Sequence, residues 1–180
     1  MLFVRHATTP GMRAACFPGD EDADAASLAR AAALGPAASP AWVAPVRAAR
    51  RTAVALGLEP REAPALREAD CGRWRGLPYE RVAREEPEAL ASWLADPHAA
   101  PHGGESRAAH AARVAGWLDS LRDAPDQVAV CDAGTIRAAL GHALGLDPGG
   151  AARFDLAPLS TTELAVTRDG WRVAHVNRKV

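Results

Sequence analysis

No apolar run in this 180-residue chain approaches the roughly 20 residues needed to span a bilayer, so no membrane-spanning helix and no membrane partner are expected. Cysteine is scarce. Cys16, Cys71 and Cys131 are odd in number and form no CxxC pair, which points to free thiols in a reducing compartment. Excess charge of either sign is absent too: 21 basic and 22 acidic residues leave a net charge of −1. With no basic run, nucleic acid is not an expected partner. Lysine is sparse while alanine and arginine abound, a bias without functional content. The six histidines are scattered and no cluster has ligand spacing, so neither a metal nor a cofactor is expected. No signal peptide is visible ahead of a first strand that begins by residue 2, so a cytoplasmic protein is expected. What remains is ordinary globular composition, 48% hydrophobic and 24% charged, in one domain over residues 1–180.

The chemistry begins at the amino terminus. Leu2-Phe3-Val4 reads as a short buried strand that runs into Arg5-His6 and then into Ala7-Thr8-Thr9 and the turn at Pro10-Gly11. Side chains at the carboxyl end of such a strand sit where open α/β sheets bind ligands. Arg offers a planar fork of donors for an anion, and His serves as nucleophile, base or acid. The same two residues also fit ordinary polar strand ends.

Along the chain, residues 10–22 read as a loop ending in acidic residues. Residues 23–34 read as a helix stopped by Gly35-Pro36, residues 41–44 as a strand, and residues 47–56 as a helix stopped by Gly57. Residues 78–95 suggest two short helices divided near Pro87, with Leu90, Trp93 and Leu94 on one face. In the helix expected over 105–122, Val114, Trp117, Leu118 and Leu121 recur at i, i+3, i+4 and i+7 as a buried stripe. A strand at 127–131 leads to a helix closed by Gly145. Residues 161–167 and 171–176 read as a terminal hairpin around Arg168-Asp169-Gly170, whose free edge offers a route to a homodimer. Alternating strands and helices predict an α/β fold: a three-layer α/β/α sandwich with a mainly parallel central sheet.

Arg5-His6-Ala7-Thr8-Thr9 resembles the R-H-G-x-T signature of the histidine phosphatase (phosphoglycerate mutase-like) superfamily, with Ala7 in place of Gly. Leu66 to Gly76 is similar to that family's L-x-E-x-x-x-G-x-W-x-G segment, which favours the phosphatase branch. Pro101-His102-Gly103-Gly104-Glu105-Ser106 resembles its P-x-G-G-E-S loop, and Cys16-Phe17-Pro18-Gly19 with Asp22 resembles its Cys-aromatic-Gly-x-x-Asp loop less closely. The resemblance implies the phosphoglycerate mutase-like fold, a nucleophilic His6 that passes through a phosphohistidine, a phosphate-binding Arg5 and a proton-donating Glu68. It also implies a pocket edged by Thr9, Gly134 and His102, and phosphate or a small phosphorylated metabolite as ligand. By its residues alone, Glu68 also fits a surface carboxylate before a glycine turn, and the P-x-G-G-E-S loop fits a helix start.

Two segments depart from the family pattern. Where relatives carry a second phosphate-binding Arg four residues before Thr52, this chain has Ala48. Arg47 lies one position early, about 100° around the helix, and Arg51 three positions later, so either was a candidate replacement. Where relatives carry a second His in V-x-H-x-G-x-x-R, the segment Val130 to Arg137 has Asp132. An ionised Asp cannot donate to a phosphoryl oxygen. It also repels one by roughly 4 kcal/mol at 4 Å and an effective dielectric of 20. Protonated, it donates; as a strand-to-helix residue, it also fits an N-cap. The expectation is therefore a phosphomonoesterase with an altered pocket, in which Asp132 joins His6 and Glu68. The alternatives are a catalytically inactive member serving as a ligand- or protein-binding module, or other chemistry run by a His6–Asp132 pair.

Overall fold

The structure, a computed structural model, describes residues 1–34, 39–124 and 126–179. Its centre is β1 (Leu2–Arg5), whose Phe3 and Val4 point to opposite faces and are both buried. β4 (Val128–Cys131) lies beside it in parallel, with Ala129, Val130 and Cys131 all buried. Strands buried on both faces require helices on both faces, the arrangement of an α/β sandwich. β2 (Pro40–Val43) and β3 (Glu59–Glu62) extend the parallel sheet beyond β4. On the other side, β5 (Thr161–Thr167) pairs antiparallel with β1, and β6 (Gly170–Arg178) pairs antiparallel with β5. The order is β3-β2-β4-β1-β5-β6, so β5 alone among these strands runs against the rest.

α2 (Ala25–Ala33) and α3 (Arg47–Ala55) pack together, with α3 on β2, β3 and β4. α6 (Arg107–Asp119) packs on α7 (Ala133–Leu144), which reaches β1 and β6. The expected stripe on α6 is buried at Val114 and Leu118, with Trp117 and Leu121 partly covered against the same core. α4 (Tyr79–Glu85) and α5 (Pro87–Ala95) build a smaller cluster with Phe17, Cys71, Trp74 and Val82. Leu90 and Trp93 pack into it, but Leu94 is 60% exposed and does not share that face. The sheet and long helices follow the sequence pattern, and Gly145 closes α7 in a left-handed conformation with φ 66°. The stop expected at Gly35-Pro36 lies outside the described residues.

Three pieces depart from expectation. The segment 10–22 is not all loop: α1 (Pro10–Arg13) forms one turn because Pro10 suits a first helical position and Thr9 Oγ1 accepts the Met12 N–H at 3.3 Å. α8 (Pro148–Ala151) starts the same way, with Asp147 accepting the Gly150 N–H at 2.6 Å. β3 reads Glu-Pro-Arg-Glu, without the apolar character of a strand, and forms because it occupies a sheet edge where one side of its backbone needs no partner. Among the described residues, no helix is long and apolar enough to cross a membrane, and the three cysteines are free thiols.

Leu118 is fully buried on α6. Leu118→Ala is expected to destabilise the fold by about 2–5 kcal/mol, whereas exposed Leu94→Ala changes stability by less than about 0.5 kcal/mol. Urea denaturation of both variants checks this contrast.

Candidate active site

Strand register builds the centre of the site. Arg5 stands opposite Cys131 in the parallel β1–β4 ladder, so the next residue of each strand, His6 and Asp132, emerges side by side. The His6 N–H continues the ladder to the Cys131 carbonyl at 3.0 Å. His6 is 3% exposed. Its Nδ1 lies 2.7 Å from the Ala7 carbonyl, which can only accept, so Nδ1 carries a proton. That leaves Nε2 as the nitrogen that faces outward, and it lies 2.7 Å from Asp132 Oδ1. Burial opposes charge on His6, but the Asp132 carboxylate, its hydrogen bond and the Ala7 bond together raise the His6 pKa above 6.5. Burial likewise opposes charge on Asp132, and His6 with Arg5 outweighs it, holding the carboxyl below 3.8. Both shifts favour the ion pair, imidazolium beside carboxylate. Asp132 occupies the N-cap position of α7, yet its side chain caps nothing, because His6 takes it.

The turn after His6 is fixed from α3. Thr52, fully buried, accepts the Ala7 N–H at 2.9 Å and donates to the Ala48 carbonyl at 2.7 Å. Ala48, on the same face one turn earlier, lines the cleft with its methyl group.

Glu68 comes from the loop after β3, locked by close backbone packing. Gly72, at φ 49°, has no room for a Cβ, which would fall 2.2 Å from the His102 carbonyl oxygen. A Cβ on Gly104 would fall 2.0 Å from that of Asp70. The two loops are joined by Arg73 N–H to His102 O at 3.1 Å and Glu105 N–H to Asp70 O at 2.8 Å. Arg113 clamps them with two bonds to Glu105, at 2.9 and 2.6 Å, and one to the Ala65 carbonyl at 2.7 Å. The Glu68 carboxylate then lies flat against Gly134, where an added Cβ would sit 2.2 Å from Oε1. Its Oε1 accepts the Ala69 N–H at 2.9 Å and lies 3.7 Å from Nδ1 of His110, a buried residue of α6.

These groups open on one cleft of about 690 Å³. Arg5, His6, Thr9, Glu68, Asp132 and Gly134 all line it. Arg5 donates Nη1 to the Leu156 carbonyl, and its buried Nε has no hydrogen-bond partner among the described residues. Burial lowers the Arg5 pKa against the pull of Asp132, although a guanidinium keeps its charge throughout the useful pH range. Arg47 and Arg51 are not brought to the cleft. The turn of α3 points both to solvent, where Arg47 binds Asp20 and lies 3.6 Å from Asp22, and Arg51 lies 3.3 Å from Asp22. His102 is also off the cleft: it is buried 5.0 Å from the Trp74 ring centre, and its Nδ1 accepts the Gly104 N–H at 3.0 Å. The structure adds Arg107, His110 and Arg137, with Arg137 Nε held by the Phe154 carbonyl at 2.9 Å. His110 was legible in principle, since it extends the buried Val114–Leu118 stripe four residues back as a polar residue on an apolar face. Among the described residues, no three His, Cys, Asp or Glu side chains form a metal-ligand group.

The pair makes stability depend on pH. His6, with its pKa raised, contributes fully below 6.5 and loses that contribution as pH rises through the folded value. Asp132, with its pKa lowered, contributes fully above 3.8 and loses that contribution as pH falls through its folded value. The thermal-midpoint gap between wild type and Asp132→Asn should be widest between those two pH values and narrow on both sides; a gap independent of pH contradicts the ion pair.

The geometry has close counterparts. A glucosyl-3-phosphoglycerate phosphatase of Mycobacterium tuberculosis is 33% identical over 124 residues, 63% of this chain and 56% of that protein. That of Mycolicibacterium vanbaalenii is 33% identical over 118 residues, 59% of this chain and 52% of that protein. The chain thus spans about half the length of the curated relatives it matches. Among solved structures, the mycobacterial glucosyl-3-phosphoglycerate phosphatase in complex with VO3 superposes with a TM-score of 0.82 at 27% identity, covering 99% of this chain and 98% of that one. A putative alpha-ribazole-5'-P phosphatase from Escherichia coli reaches a TM-score of 0.86 at 18% identity over 99% and 96% of the two chains, a likeness of fold. The histidine phosphatase superfamily (branch 1) profile matches residues 1–179, and the chain belongs to that superfamily.

Proposed function

We propose that this chain is a phosphomonoesterase that works through a phosphohistidine on His6, with phosphate or a small phosphorylated metabolite as its ligand. The observation that carries the reading is the fixed imidazole: Nδ1–H is tied to the Ala7 carbonyl, so Nε2 is the atom presented to the cleft that Glu68 shares. Relatives named as glucosyl-3-phosphoglycerate phosphatases make a phosphorylated sugar acid a natural first substrate to try. The cleft volume suits a phosphoryl group with a small organic leaving group.

The resting ion pair needs one internal proton transfer. As a phosphate ester enters, its negative charge disfavours the Asp132 carboxylate, and the proton on His6 Nε2 passes to Asp132. That single step frees the Nε2 lone pair and turns Asp132 into a hydrogen-bond donor for a phosphoryl oxygen. Nε2 then attacks phosphorus in line while the P–O bond to the leaving group breaks, and Glu68 gives its proton to the departing oxygen. Arg5 balances the charge on the phosphoryl oxygens, and Arg137 takes the supporting place that Arg47 and Arg51 do not reach. Water next attacks the phosphohistidine and returns a proton to Glu68, releasing inorganic phosphate and restoring Nε2.

A second reading, a binding module without turnover, rests on the 2.7 Å contact that holds Asp132 against the nucleophilic nitrogen. One assay series separates the two. Hydrolysis of p-nitrophenyl phosphate is expected to be faster in acid, where the ester carries less charge, and to fall by at least about a thousandfold in His6→Ala. Gly134→Ala, which forces the Glu68 carboxylate aside, should lower turnover at least about tenfold while the protein stays folded. Absence of turnover from pH 4 to 8, with no difference in His6→Ala, overturns the enzyme and leaves the binding module.

A further inference from the structure

His110 belongs to no motif of the signature, yet it is 5% exposed, lines the cleft and faces the carboxylate of Glu68. Its two nitrogens have different neighbours. Nε2 lies 3.4 Å from Thr135 Oγ1, and the Thr135 hydroxyl donates to the Leu66 carbonyl at 3.2 Å. A hydroxyl that has spent its proton on a carbonyl offers only a lone pair, so Nε2 of His110 carries the hydrogen. In the neutral ring, Nδ1 is then the bare nitrogen, and it is the one aimed at Glu68 Oε1 at 3.7 Å. That distance is ion-pair range, longer than a hydrogen bond; contacts of this kind commonly close when substrate binds.

We propose that His110 is a positioning residue that keeps one proton on the Glu68–His110 pair and so holds Glu68 ready as the acid. With one proton between them, the pair would be carboxylic acid beside neutral imidazole or carboxylate beside imidazolium, and either form could give that proton up. When the leaving group departs, that proton goes to its oxygen, leaving carboxylate and neutral His110. When water cleaves the phosphohistidine, the proton it sheds returns to the pair. The charged groups that face His110 are Glu68 from the loop after β3, Asp132 at the head of α7, and Glu105 at the start of α6. Glu105 is already held by Arg113, and Asp132 by His6, and among the described residues no Lys or Arg makes a salt bridge with Glu68. With Asp at position 132, His110 is the histidine that the cleft sets against Glu68.

The role rests on the phosphatase reading for its kinetic arm, and a second arm does not depend on turnover. A departing alkoxide needs a proton far more than p-nitrophenolate does. In His110→Gln, kcat for an alkyl ester such as glycerol 2-phosphate is expected to fall at least about tenfold further than kcat for p-nitrophenyl phosphate. The alkaline limb of the alkyl-ester pH profile, where the acid loses its proton, should move to lower pH with it. Thr135→Val, which removes the acceptor on Nε2, is expected to produce the same imbalance at smaller size and covers the case in which His110→Gln does not fold. Equal losses for both esters, or no loss, overturn the proposal. If the wild-type chain hydrolyses neither ester, the phosphatase reading fails, and nitrogen-15 NMR of the imidazoles then decides the pair. The proposal expects neutral His110 protonated on Nε2, with an Nδ1 resonance that changes in Glu68→Gln. The opposite tautomer, or indifference to Glu68→Gln, overturns it.

Discussion

Two parallel strands in register force an imidazole and a carboxyl group together at the floor of a cleft, and the chemistry of the site follows from that juxtaposition. The β1–β4 ladder sets His6 beside Asp132, and the contact of 2.7 Å is closed on its other side by the Ala7 carbonyl. A buried ion pair is a poor source of net stability, because desolvation offsets most of its attraction. Its significance here is protonic. The pair is neutral as a unit and holds one proton that either partner can carry. A histidine at position 132 would donate to phosphate directly; in the proposed reaction an aspartate does so only after taking the proton of His6.

The remaining site residues are held by backbone. Glu68 sits on a loop that cannot move without separating Gly72 and Gly104 from the carbonyls they nearly touch. Gly134 gives that carboxylate its resting place, and the clamp of Arg113 on Glu105 ties the loop to α6. α6 then delivers His110 to the same carboxylate. The cleft thus sets two histidines against two acids, His6 hydrogen-bonded to Asp132 and His110 at ion-pair distance from Glu68. In the proposed reaction the first governs the nucleophile and the second the leaving group.

Much of this was legible in the sequence, and the parts that were not have physical reasons. The strand running into Arg5-His6, the stripe on α6, the glycine stop of α7 and the terminal hairpin are local patterns, and local patterns set those elements. That His6, Glu68 and Asp132 share a cleft came from motif resemblance and is matched by their placement. β3 escaped notice because an edge strand needs no apolar alternation, and Glu-Pro-Arg-Glu shows none. Which of Arg47 and Arg51 reaches the cleft is open in the sequence, and neither does, because helical phase alone does not show that Asp20 and Asp22 wait on the solvent side to bind them. His102 has the polarity of a pocket residue but the neighbours of a structural one, the rings of Trp74 and Trp93. His110 needed the stripe to be followed one turn further back.

In the proposed reaction His6 Nε2 accepts the phosphoryl group and Asp132 gives way to it. A crystal structure grown with vanadate tests this at the atoms concerned. The account predicts vanadium bonded to His6 Nε2, an equatorial oxygen within hydrogen-bond distance of Asp132, and Glu68 on the opposite, apical oxygen. A crystal soaked to saturation that retains the His6–Asp132 contact unbroken, with vanadate bound elsewhere or not at all, would contradict it.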